Sequence, residues 1–312
     1  MKLMKTKLLI LIVTFLLGLS LAGCENESQI KGVKERGKLE EEPEISVEVN
    51  GNTEKMKLEK YITAVVAGEM HKNWPENAYG AQAILARSYA LKHMEDEQTD
   101  IISGSFAEAQ EYKPGAVSDE VKAAVEKTRG EVALYQDQYI SSWFHSSAGG
   151  QTTTAKVGLG YKDDEPPYIK SVKSPDDLAP EDIQKWTAEF TNEELNEGLK
   201  KMGENIGQIQ DMTIKNRDDT GRAKEFVFKG SKGDAEVVAA EYRNQLDTKK
   251  LKSTKIDSIQ KTGNGFSITG SGFGHGVGMS QWGAYSMAKD NKTPEDIIRY
   301  YFGDIEIARV YD

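Results

Sequence analysis

Leu58-Glu59-Lys60-Tyr61-Ile62-Thr63-Ala64-Val65-Val66-Ala67-Gly68-Glu69-Met70 is the stretch that decides how this chain is read. Leu58, Tyr61, Ile62, Val65, Val66 and Met70 recur at helical spacing, and the pattern stops before Pro75. Just upstream, Ile45-Ser46-Val47-Glu48-Val49 alternates apolar and polar residues, and Asn50-Gly51 supplies a turn, so this segment reads as a hairpin. Downstream, residues 78–94 form an alanine-rich second helix with Ala81, Ile84, Leu85, Ser88 and Tyr89 on one side. Small residues there permit close helix–helix approach.

Working outward, residues 121–127, 193–202, 279–288 and 294–302 read as helices. Residues 132–135, 139–144, 209–214, 223–228 and 266–269 read as strands, and 163–179 as a proline- and charge-rich loop. Helices and strands interleave without a regular βα repeat. The expected class is therefore α+β, with mixed sheets and packed helices in a single large domain over residues 45–312.

The first 44 residues differ in kind. Lys2, Lys5 and Lys7 precede an apolar run over residues 8–19, too short for the roughly 20 residues of a spanning helix. Leu21-Ala22-Gly23-Cys24 follows and resembles the lipobox of bacterial lipoproteins. Residues 1–23 are thus expected as a signal peptide, and Cys24 as a lipidation site on the outer face of the cytoplasmic membrane. An ordinary cleaved signal with a chance cysteine is the plainer alternative. Residues 24–44 carry many charges and no periodicity and read as a flexible tether of about 25 Å.

Composition narrows the function. Cys24 is the only cysteine, so the domain holds no disulfide and no thiolate metal site. The four histidines show no i, i+4 pairing, and no metal or cofactor is expected. A net charge of -10, three units more negative once Lys2, Lys5 and Lys7 are gone, argues against nucleic acid.

Three groups of residues carry chemistry. Glu69 lies eleven residues after Leu58, near the middle of the apolar stripe. A carboxyl buried near a helix C-terminus has a raised pKa and suits a general acid. If the helix stops at Gly68, Glu69 points into water instead, and pattern alone favours that reading. Arg87, on the next helix, reads as a surface charge by pattern, with a buried partner as the alternative. The second group is Trp143-Phe144-His145-Ser146-Ser147-Ala148-Gly149-Gly150-Gln151-Thr152, a strand entering a small-residue turn that a ligand can approach closely. A serine hydrolase fits poorly, because no G-x-S-x-G elbow is present. The third is Gly270-Ser271-Gly272-Phe273-Gly274-His275-Gly276-Val277-Gly278-Met279-Ser280-Gln281-Trp282-Gly283. It lacks the Walker and dinucleotide spacings. A neutral glycine-lined surface with His275, Gln281 and Trp282 suits an uncharged polar ligand such as a sugar; tight strand–helix packing is the alternative.

Together these stretches resemble the SpoIID/LytB family of bacterial envelope proteins. The matching segments are 61–70, 81–90, 144–152 and 272–284, with weaker echoes at 167–172, 221–223 and 300–302. The resemblance implies a peptidoglycan lytic transglycosylase acting on glycan strands, in its sporulation branch on strands stripped of stem peptides, with Glu69 as the single acid/base. It implies a substrate-binding role for Arg87, Ser88, Tyr89, His145, Ser146, Gly149, His275, Gly276, Ser280, Gln281 and Trp282. Another branch is described as enhancing a cell-wall amidase, which makes a non-catalytic peptidoglycan-binding protein the runner-up. Some relatives carry zinc beside the position of His145 through cysteines that this chain lacks, so no such site is expected.

Overall fold

The computed structural model describes residues 38–105 and 109–312. The expected signal peptide, Cys24 and most of the expected tether lie outside the described residues. The last part of that tether span, residues 38–44, lies against the domain. Leu39 N–H donates to the Val310 carbonyl at 2.6 Å, and Arg129 pairs with Glu42 at 2.5 Å.

The hairpin forms as read. β1 (Glu44–Val49) and β2 (Asn52–Lys57) pair from Glu44 opposite Lys57 to Val49 opposite Asn52. Asn50 and Gly51 take φ of 51° and 76°, the two positive values that a type I′ turn requires. α1 (Leu58–Glu69) follows directly, without a side-chain cap. Its first N–H groups find acceptors in the preceding segment instead. Leu58 donates to the Pro43 carbonyl at 2.9 Å and Glu59 to the Glu42 carboxylate at 2.8 Å.

α2 (Glu76–Asp96) is buried on almost every side, as a helix at the centre of a layered core must be. β3 (Ile101–Ser103) adds to β1 in parallel, and α3 (Asp119–Lys127) packs on both α1 and α2. β4 (Glu131–Tyr135) and β5 (Gln138–Tyr139) form a short hairpin, and β6 (Phe144–His145) comes next. The strand expected over 139–144 is broken in the middle. Ser141 N–H donates to the Tyr168 hydroxyl and the Ser142 hydroxyl to the Leu85 carbonyl, both at 2.8 Å, which takes this segment out of a ladder.

After two single-turn helices, α4 (Ala155–Gly158) and α5 (Glu181–Gln184), the chain builds a second layer. It holds β7 (Trp186–Thr191), α6 (Asn192–Lys201), β8 (Ile209–Arg217), β9 (Ala223–Gly230), β10 (Gly233–Val238), α7 (Ala239–Arg243), β11 (Ile256–Lys261) and β12 (Gly265–Gly270). These strands form two antiparallel sheets, ordered β10-β9-β8 and β11-β12-β7. The chain then returns through β13 (Met279–Ser280), α8 (Gln281–Lys289), α9 (Pro294–Tyr301) and β14 (Glu306–Arg309), the last pairing with β4. The fold is α+β.

Two apolar cores result. One surrounds α1 and α2 and includes Tyr61, Val65, Ile84, Leu85, Ile297 and Tyr301. The other fills the second layer with Trp186, Phe190, Phe226, Phe228, Tyr242 and Phe266. Between them lies a polar junction in which Ser147, Asp176, Arg222 and Ser280 are all buried.

Candidate active site

Glu69 is the last residue of α1, so the helix does not stop at Gly68. Its carboxyl is largely covered, and Oε1 accepts the Glu111 N–H at 2.7 Å. Gly68 makes this possible: a Cβ there would overlap the Glu111 carbonyl oxygen, and segment 109–113 could not cross the helix end. Lys113 N–H, which donates to the Ala64 carbonyl at 3.1 Å, ties that segment down. Burial pushes Glu69 up to about 7, well above the usual carboxylate range. The Glu111 N–H opposes the rise, the Glu111 carboxylate adds to it, and Gln281 and Lys113 oppose it more weakly. A carboxyl so poised holds or yields a proton near neutral pH.

The third group of residues reaches Glu69 through β13. Met279 and Ser280 pair in parallel with Phe144 and His145, which joins the second group to the third. Ser280 then caps α8 by accepting the Gly283 N–H at 3.3 Å, so the helix begins at Gln281, two residues later than expected. The Gln281 side chain comes near enough to the Glu69 carboxyl to pull its pKa down slightly. Its Nε2 also faces Gln82 Oε1 at 3.5 Å. Trp282 packs edge-on against Trp74, with ring centres 4.7 Å apart, and beside His71 and Tyr285. Ser146 is bound to this region by its backbone, where its carbonyl accepts the Trp282 N–H at 3.0 Å.

Asp176, in the loop 163–179, holds the junction together. Its carboxylate accepts the hydroxyls of Ser174 (2.7 Å), Ser280 (2.8 Å) and Ser147 (3.1 Å), and the Gly150 N–H (3.2 Å). Nothing in the sequence marks this aspartate among the charges of its loop. Gly149 and Gly272 face each other backbone to backbone, and a Cβ on Gly149 would lie 2.9 Å from the Gly272 nitrogen.

Several residues expected to bind substrate are occupied by the fold itself. Arg87 is fully buried and grips Glu59 with two bonds of 2.9 and 2.8 Å. Burial works against the Glu59 charge, but Arg87, the Tyr311 hydroxyl and the Gly130 N–H outweigh it and hold its carboxyl below the usual range. Arg87 is therefore a core ion pair, neither the surface charge that pattern favours nor a ligand contact. Ser88 is equally buried, between the Ile84 carbonyl and the Ala133 N–H. Tyr89 is half-buried and stacks on His93; Tyr61 lies in the electrostatic range of both Tyr89 and Glu69.

His145 is buried, with Nδ1 on the Val277 carbonyl at 3.1 Å; burial and then the Arg222 cation pull it down to about 3. His275 accepts the Val277 N–H and is held well below its usual value by burial, then by His145. Both rings are thus biased toward the neutral form. Gly276 is covered by the Arg222 guanidinium, which a Cβ would displace. The glycine spacing that suited a sugar thus serves close packing inside the protein.

The sequence was also compared with known proteins. A family model described as stage II sporulation protein, SpoIID, matches residues 48–135, the stretch that carries Glu69. A model described as a domain of unknown function matches residues 161–278. The stage II sporulation protein D of Bacillus subtilis (strain 168) is 31% identical over 280 residues, which span 83% of this chain and 76% of that protein. An uncharacterized protein of Brachyspira hyodysenteriae is 29% identical over 257 residues, 81% of this chain and 67% of its own length. The amidase enhancer of Bacillus subtilis is 24% identical over 77% of this chain, though the match spans only 39% of that protein.

Proposed function

Because this chain belongs to the SpoIID family, we propose that it acts on the bacterial cell wall, cutting peptidoglycan glycan strands as a lytic transglycosylase with Glu69 as general acid and then base. The observation that carries this reading is the state of Glu69. A carboxyl mostly buried and pushed up to about 7 suits a reaction that runs on one proton carrier. Protonated Glu69 gives its proton to the glycosidic oxygen as the C1–O bond breaks. The resulting carboxylate takes the proton of the muramic acid C6 hydroxyl as that oxygen bonds to C1. No water enters, a 1,6-anhydro end forms, and Glu69 is protonated again. The N-acetyl group of the same sugar is placed to stabilise the positive charge at C1. Gln281, which acts on the carboxyl, and the next residue, Trp282, are the side chains assigned to hold the glycan.

Digestion of purified peptide-free glycan strands tests this directly. Wild type is expected to release fragments lighter by one water than hydrolysis products, and Glu69→Ala to release none. Fragments carrying an added water, or undiminished cleavage by Glu69→Ala, would overturn the mechanism. The likeness to an amidase enhancer supports a second reading, a peptidoglycan-binding protein that stimulates a cell-wall amidase. No glycan cleavage, with a rise in amidase rate that survives Glu69→Ala, would select it.

Acylation at Cys24 would place the domain at the outer face of the cytoplasmic membrane. Cys24→Ser is then expected to move the protein from the membrane to the soluble fraction.

A further inference from the structure

β7 is the outer strand of its sheet and pairs with β12 on one side only. The register tells which of its peptide groups that pairing uses. Asn192 N–H donates to the Asn264 carbonyl at 3.0 Å, one step beyond the pair of Thr191 with Gly265. Hydrogen-bonded pairs recur at every second residue of an antiparallel ladder, so Phe190, Ala188 and Trp186 face β12 in turn. Thr191 looks the other way, its N–H donating to the Glu194 carboxylate at 2.7 Å. Thr187 and Glu189 share that orientation, and no hydrogen bond among the described residues meets their N–H and C=O groups on the outer side.

This open edge borders a cleft of about 600 Å³. Residues 185–189 line it from the strand, and Lys249, Lys250 and Lys252 line it from the loop after α7. Lys250 pairs with Glu194 at 2.6 Å and lies over the Phe190 ring, and Lys252 pairs with Asp182 at 2.8 Å. Lys185 and Lys249 are exposed and have no ion pair among the described residues. With four lysines against Asp182 and Glu189, the lining is positive in a chain whose net charge is -10. Lysines on a strand can shield its edge, but these stand at its end and on the neighbouring loop, and they leave the β7 backbone open.

We propose that this cleft docks an extended acidic segment of a partner protein. The segment adds to β7 as a fourth strand, pairing with Thr187 and Glu189, and its carboxylates lie beside Lys185 and Lys249. Two observations favour a peptide over a polyanion that lacks amides. The outward N–H and C=O groups recur at alternate residues, a spacing that a second extended backbone matches. The Glu189 side chain, exposed on the same strand, would repel a uniformly charged chain and calls for a neutral residue opposite it. Glu69 takes no part in this docking, which is independent of glycan cleavage.

The probe is a blocked peptide of alternating threonine and valine with two glutamates at one end, titrated into nitrogen-15-labelled protein. The Thr187 and Glu189 amides are expected to shift and to gain protection from hydrogen exchange. Reversing both cations, Lys185→Glu with Lys249→Glu, should weaken binding about tenfold. Thr187→Pro removes one outward N–H and no ladder bond, and should also weaken binding about tenfold. If Thr187→Pro does not fold, the peptide N-methylated at alternate residues takes its place and should bind wild type about tenfold more weakly. No shift at millimolar peptide, or shifts that spare Thr187 and Glu189, would overturn the proposal. Affinity left unchanged by either the charge reversal or the loss of the N–H would also overturn it. Poly(glycerol phosphate) binding as tightly as the peptide, with the β7 amides unprotected, would overturn the peptide assignment in favour of a polyanion.

Discussion

Glu69 shows how one residue can weaken the fold that it serves. Its folded pKa is raised above that of the unfolded chain, so ionising it costs stability as pH climbs from the usual carboxylate range to about 7. Glu69→Gln is therefore expected to stabilise the protein by about 3 kcal/mol at pH 8 and by little at pH 4, as chemical denaturation at the two values would show. On the same grounds, cleavage by wild type should be level below the midpoint and fall about tenfold per unit above about 7. Arg87 works in the opposite sense. Glu59 is held below the usual range, so its contribution is present above the unfolded value and lost as pH falls. Arg87→Ala leaves the Glu59 charge buried and unpaired and should cost about 3–5 kcal/mol at neutral pH, measured by thermal melting.

Among elements, legibility followed the range of the interaction that decides each one. α1 and α2 were readable because helical period is local, and the position of Glu69 on the apolar stripe was readable for the same reason. The reading of Arg87 failed because its partner, Glu59, lies 28 residues earlier on another helix. Glu111 and Asp176 were invisible for the same cause: each acts across a gap in the chain that no pattern spans. Trp186–Thr191 alternates buried and exposed residues cleanly and is a strand that the sequence reading passed over. The start of α8 moved to Gln281 because Ser280 pairs with His145 and caps the helix at once. Asp176 anchors that cap, and Asp176→Ala would leave three buried hydroxyls and one N–H short of an acceptor. The expected loss is about 3 kcal/mol or more, with faster amide hydrogen exchange across residues 144–150 and 281–289.

At the scale of the molecule, the site is built from parts far apart in sequence. The Glu69 carboxyl comes from α1, the N–H on its oxygen from Glu111, a weaker lowering influence from Gln281 on α8, and the junction that seats α8 from Asp176. The match to the stage II sporulation protein model ends at residue 135, before the chain has supplied Gln281. The matched stretch alone therefore carries the carboxyl but not all that tunes it, although α8 and α9 pack into the same core.

Segment 109–113, lying across the end of α1, has a consequence for when the chain becomes active. In a chain still extended, Glu69 is an ordinary carboxylate, ionised at neutral pH, and has no proton to give. It becomes an acid only after residue 111 has closed over it and residue 281 has arrived from near the far end of the sequence. Folding is then the step that lets this carboxyl keep a proton near neutral pH, and it waits on segments on either side of most of the domain.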